Sequence, residues 1–229
     1  MKSVSIFLAL LLLAVSTAKS QTKILKPLEE GQIDTPEVPV QRTGSFFSAQ
    51  IPLGNASPRL PLRTLRSLRF QFGLKYLHEV IRDGYSMGGA LSFVNQTYAI
   101  DSEADGKNVM DTINYDTELF RNSGLQLDYL HRIRITGYEV SFAAYVEIGG
   151  HVSWFFNRRY IREESTNSGA TRRMELRNLD KIESFQFGST LTLGYNRLAL
   201  VYMRRLTPYF KANAFSFLPR NQLGLQIGL

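Results

Sequence analysis

Long stretches of this chain put a large apolar side chain at every second position. Leu68, Phe70, Phe72, Leu74 and Tyr76 alternate with Arg69, Gln71, Gly73, Lys75 and Leu77. Tyr85 to Val94, Leu125 to Ile135, Phe185 to Tyr195 and Leu223 to Leu229 show the same alternation. An extended strand turns successive side chains to opposite faces, so this period makes ribbons with one apolar face. The longest run keeps one parity from Tyr138 through Val140, Phe142, Ala144, Val146 and Ile148 to Val152, Trp154 and Phe156, broken only by Gly150. Soluble sheets use strands of about five or six residues. Strands that tilt across an apolar band are longer.

The alternation predicts eight strands, near 45–54, 67–79, 84–98, 123–136, 138–157, 183–196, 197–207 and 221–229. Short connections are expected around 81–84, 136–137 and 196–197, and long polar or Pro-containing ones at 55–66, 99–122, 158–182 and 208–220. Strict alternation of short and long connections is the habit of outer-membrane barrels, with short periplasmic turns and long external loops. The expected fold is therefore all-β: an up-and-down antiparallel transmembrane β-barrel over 45–229, with both termini on the periplasmic side.

Residues 1–20 read as a signal peptide, with Lys2, an apolar run from Ile6 to Val15 and small residues at Ala18 and Ser20. That run is shorter than the ~20 residues of a membrane-spanning helix, and nothing downstream approaches one. Residues 21–44 read as a flexible periplasmic linker, with Pro27, Pro36 and Pro39 among Glu29, Glu30, Asp34 and Glu37. The chain has no cysteine, which excludes disulfide staples and thiolate chemistry. Loss of Lys2 and Lys19 with the leader lowers the net charge from +7 to +5. For an exported chain such a charge points to anionic lipid or polysaccharide rather than nucleic acid.

With the apolar parity outward, the lumen receives Arg69, Lys75, Glu79, Asp128, Arg132, Arg134, Glu139 and Glu147. These opposite charges suit a paired network in a barrel whose interior holds side chains and little else, so no open pore is expected. Tyr76, Tyr98, Tyr138, Trp154 and Tyr195 are candidates for interfacial girdles. The 158–182 loop carries Arg158, Arg159, Arg162, Arg172, Arg173 and Arg177, which could pair lipopolysaccharide phosphates.

Tyr85-Ser86-Met87-Gly88-Gly89-Ala90-Leu91-Ser92-Phe93, Tyr145 to Ser153, Phe185-Gln186-Phe187-Gly188 with Leu193-Gly194-Tyr195, Tyr202 to Phe210 and the closing Leu223 to Leu229 carry a resemblance. The chain resembles the outer membrane protein beta-barrel domain family of small Gram-negative barrels over about 45–229. The resemblance implies outer-membrane localisation. Partners would be outer-membrane lipid and lipopolysaccharide, together with barrel assembly machinery and periplasmic chaperones. Many such barrels end in an aromatic residue; this chain ends in Leu229.

His151-Val152-Ser153 resembles part of the His-x-Ser signature of lipid A deacylase barrels, where histidine activates a serine nucleophile. Trp154 stands where the usual asparagine would, and the parity points His151 and Ser153 inward, away from lipid. His78 and His131 lack partners at metal-ligand spacing. Asp101, Glu103, Asp105, Asp111 and Asp116 form an acidic loop without EF-hand spacing. No metal and no cofactor is expected. The leading expectation is a non-enzymatic barrel with a structural, adhesive or interaction role. The alternatives are a soluble periplasmic lipocalin-like barrel binding an apolar ligand, which needs the reverse facing, and a lipid A-modifying esterase using His151 and Ser153.

Overall fold

A computed structural model of the chain describes residues 41–54, 62–81, 84–101, 117–135, 144–165, 171–211 and 218–228. The expected leader, nearly all of the expected linker, Tyr138, Glu139 and Leu229 lie outside these residues. The described residues fall within one unit, Pro39–Leu229. They form strands β1 (Gln41–Leu53), β2 (Arg69–Ile81), β3 (Tyr85–Asp101), β4 (Thr117–Arg134), β5 (Ala144–Ser165), β6 (Thr171–Arg177), β7 (Phe185–Tyr195), β8 (Leu198–Arg205) and β9 (Asn221–Gly228). One short 3-10 turn, Thr64–Arg66, precedes β2. No described helix is long and apolar enough to cross a membrane.

Every pairing is antiparallel. The order β1–β2–β3–β4–β5–β7–β8–β9 returns to β1, closing a ring of eight strands. All eight expected strands are present. β1 starts at Gln41, where Gln41 pairs with His78, so the last residues of the expected linker are strand. At Asn196-Arg197 the turn is as tight as expected, with Asn196 in the left-handed region at φ 54°, which Asn tolerates. The expected turn at Thr136-Gly137 lies outside the described residues, which resume with β5 at Ala144. Short connections lie at the end where β1 begins and β9 finishes, hereafter the terminal end. Long ones lie at the opposite, loop end.

Polarity is inverted relative to a water-soluble sheet. In β2, Phe70, Phe72, Leu74 and Tyr76 are exposed, Leu74 by 67%, while Arg69, Gln71 and Glu79 are buried. β4 exposes Leu125, Leu127, Tyr129 and Ile133 and buries Gln126 and Asp128. β7 exposes Phe185, Phe187, Leu191, Leu193 and Tyr195 and buries Gln186 and Thr192. No Lys, Arg, Asp or Glu interrupts the outer parity of Phe70 to Val80, Leu125 to Ile135 or Phe185 to Tyr195. Each of these runs spans about 33 Å along its strand at ~3.3 Å per residue. At the ~40° tilt of closed strands this is about 25 Å along the ring axis, the height of a bilayer's apolar band.

Beyond that belt the polarity reverts. Ser123 pairs with Asn157 and Gly124 with Phe155, leaving Phe156 as an extra residue in β5. A bulge of this kind shifts the strand by one residue and exchanges its faces. Trp154 and Phe156 therefore face out, yet Tyr160 points in and is 1% exposed. Leu62, Tyr98, Ile100, Phe120, Tyr160, Ile182, Tyr209, Phe210 and Leu218 form an apolar core at the loop end. The expectation that this end consists of polar loops is thus corrected. Its strands outgrow the belt and bury their own core, and Tyr98, 1% exposed, is a core residue rather than part of a girdle.

Candidate functional site

Among the described residues, two polar networks fill much of the ring's interior. Nearer the loop end, Arg69 donates to Gln96 Oε1 at 3.1 Å and to Gln126 Oε1. Gln126 Nε2 donates to Asp128 Oδ1 at 2.7 Å, and Ser153 Oγ donates to Gln126 Oε1 at 2.9 Å. Gln71 Nε2 donates to Ser92 Oγ at 2.8 Å. Nearer the terminal end, Glu147, 2% exposed, accepts from Lys75 Nζ at 2.9 Å and from Arg132 Nε at 2.7 Å. Arg132 lies 4.0 Å over the Tyr145 ring.

Of the eight residues expected to share the lumen, the structure brings Lys75, Arg132 and Glu147 into direct contact and puts Arg69 and Asp128 into the network nearer the loop end. Glu79 is buried and lies 3.8 Å from Arg42 of β1, a pairing that parity does not announce. Arg134 is half-buried at the terminal end of β4, and Glu139 lies outside the described residues. The sequence signal for all of these was parity alone. The glutamines that link them were invisible because a polar residue at an inward position says nothing of its partner.

Two glycines make room for bulky interior residues. A side chain at Gly194 would overlap the Tyr145 ring, and one at Gly188 would overlap the His151 imidazole. Absence of a Cβ is the property used here.

A described cavity of about 20 Å³ lies between these networks and another of about 10 Å³ lies beside Arg69 and His151, each with room for little more than single waters. The loop end is closed further by the segment after β8. Tyr209 stands edge-on to Tyr98 at 5.3 Å between ring centres and accepts a hydrogen bond from Asn122 Nδ2 at 2.8 Å. Arg205 lies 5.0 Å over the Tyr209 ring. Burial pushes the Tyr209 phenol above its ordinary range. The terminal end instead opens into a cavity of about 200 Å³ flanked by Arg42, Lys75, Arg132 and Arg197.

His151 and Ser153 are buried and point inward, as their parity predicts. His151 Nδ1 lies 3.1 Å from Thr190 Oγ1, whereas Ser153 donates to Gln126. A nucleophile needs its base within hydrogen-bond reach and its substrate beside both. Here each has a different partner, and neither reaches the outer face. Of the candidate girdle residues, Tyr76, Trp154 and Tyr195 are exposed on the outer face, Trp154 stacking with Phe185 at 6.5 Å. His131 is held by Tyr85 through a 2.6 Å contact. Asp101 ends β3; Glu103, Asp105, Asp111 and Asp116 lie outside the described residues.

The arginines expected in an irregular 158–182 loop sit instead on a hairpin. β5 continues to Ser165 and pairs with β6 from Arg159↔Arg177 to Ser165↔Thr171. Arg158 points inward, donating to the Ile182 carbonyl at 2.7 Å. Arg159 donates to Glu175 at 3.1 Å, and Arg162 contacts the Met174 sulfur at 2.6 Å. Arg172, Arg173 and Arg177 are exposed on β6.

Compared with family models, with curated proteins and with solved structures, the chain shows no match.

Proposed function

We propose that this chain is an exported, integral outer-membrane β-barrel protein with a structural, adhesive or interaction role rather than a catalytic one. The observation that carries the reading is the inverted ring, whose apolar faces look outward over the height of a bilayer while ion pairs and amides fill the inside. In water such a surface would expose far more contiguous apolar area than a monomer tolerates. In lipid it is the low-energy arrangement, because a closed ring satisfies every backbone group of its spanning part. A lipocalin-like carrier needs an apolar cavity in its lumen, whereas the described middle of the ring holds ion pairs and amides beside packed Phe46, Leu130 and Met203, with gaps of water size. An esterase needs His151 and Ser153 together at the lipid face, and they are apart on the inner one.

The filled interior argues against solute conduction and turns attention to the loop-end surface, where β3, β4 and β5 stand clear of the belt. The small-barrel family resemblance agrees with this placement and implies insertion by the barrel assembly machinery. The deciding experiment is fractionation of the expressed full chain with gel migration before and after boiling. Recovery in outer-membrane fractions with heat-modifiable migration is expected. Release by carbonate as a soluble protein overturns the proposal.

A further inference from the structure

The register of β4, β5 and β6 sets three arginines side by side. Arg121 pairs with Arg159, and Arg159 pairs with Arg177. Registered partners share a face and stand about 5 Å apart across each strand pair. The neighbouring row, Phe120, Tyr160 and Leu176, contributes Phe120 and Tyr160 to the loop-end core, so the arginine row is on the opposite face. Like charges directly opposite each other in a sheet are destabilising. Glu175 relieves part of this, accepting from Arg159 at 3.1 Å and from Arg177 at 2.9 Å. Arg121 is exposed and has no bonded partner among the described residues.

The height of the row is equally informative. Arg159 is three residues beyond Phe156, the outward aromatic that ends the belt on β5, or about 10 Å along the strand. The bulge at Phe156 is what turns Arg159 outward; without it this position would face the core. Charge, register and bulge therefore converge on one band just above the apolar belt. That is where the phosphates of membrane lipids lie.

We propose that Arg121, Arg159 and Arg177 form a phosphate clamp for the phosphorylated head group of lipopolysaccharide in the outer leaflet. Resting on the membrane reading above, the clamp adds a ligand group and three residues to it. Adjacent guanidinium forks can present paired N–H donors to one phosphate, and the bound anion removes the repulsion built into the row.

The test uses the full chain folded in detergent and reconstituted into phosphatidylcholine vesicles containing lipopolysaccharide, beside vesicles with the enzymatically dephosphorylated form. Insertion is scored separately, by heat-modifiable migration and protease protection. Wild type is expected to retain phosphorylated lipopolysaccharide at least ten-fold better than R121Q/R159Q/R177Q, with a comparable drop on dephosphorylation. R121K/R159K/R177K should be intermediate, since it keeps charge and loses the fork. Equal retention by an inserted glutamine triple variant overturns the clamp, as does retention indifferent to dephosphorylation. Should wild type fail to enter vesicles at all, the membrane reading falls and the clamp with it.

Discussion

Lys75 and Glu147, 72 residues apart in the chain, meet 2.9 Å apart inside the ring, and Arg132 shares the same carboxylate. One anion thus holds cations from β2 and β4: Arg132 is its registered neighbour on β4, and Lys75 reaches it across the curved interior from β2. Removing one partner of a buried ion pair leaves the others uncompensated, at a typical cost of about 3–5 kcal/mol. Glu147→Gln is therefore expected to lower the temperature at which the folded, fast-migrating gel species is lost. Replacing all three by Leu, Met and Leu should recover much of that loss, because an apolar filling carries no unpaired charge. A triple variant as unstable as the single one would show that packing, not charge, governs the site.

Tyr145 owes its seat to Gly194. Gly194→Val is expected to displace the ring from beneath Arg132 and to destabilise the fold by about 1–3 kcal/mol, the usual range for overpacking. The companion Tyr145→Ala should restore most of the stability of Gly194→Val, which a double-mutant cycle in detergent unfolding would reveal as coupling between the two sites.

Because the chain lacks cysteine, single-cysteine variants report facing without background. Leu127→Cys and Leu191→Cys should resist water-soluble thiol reagents in intact cells and yield to them after detergent extraction and unfolding. Leu127→Arg should cost about 2–4 kcal/mol if that position faces the bilayer midplane. A water-exposed surface position tolerates such a change within about 0.5 kcal/mol. Free labelling of both cysteines in native cells would defeat the outward-apolar arrangement.

How much of this was legible beforehand depends on what the side chains report. Alternation announced β2, β4 and β7 because one parity is apolar and the other is not. β1 was harder, since Phe46 is buried inside beside Lys75 while Phe47 faces out, so adjacent aromatics blur the period. β6 and the end of β5 fall in a stretch, 158–182, that the alternation assigns to a loop. Beyond Tyr160 and Ile161, both 1% exposed, the two faces of this hairpin are largely polar and carry little periodic signal. The bulge at Phe156 hid the loop-end core as well, because a one-residue shift moves Tyr160 to the parity that was outward below it. Tyr160-Ile161 and Tyr209-Phe210, apolar pairs in otherwise polar stretches, were the available hints. The outer arginine row needed the register of three strands, which no local pattern supplies.

Closure of the loop end should depend on alkaline pH through Tyr209. The phenol is buried, so its pKa in the fold is raised above the ordinary value near 10 that it has in the unfolded chain. As pH rises past about 10 the unfolded chain loses this proton while the folded one keeps it, so stability falls with rising pH. Below pH 10 both states are protonated and the residue adds no pH dependence. Tyr209→Phe removes the titrating group together with the hydrogen bond from Asn122. The variant should start about 1 kcal/mol less stable at neutral pH. It should then lose less than wild type between pH 9 and 11, as read from unfolding midpoints or from protease cleavage of the loop end. Parallel pH profiles for the two proteins would show that the buried phenol does not govern the closure.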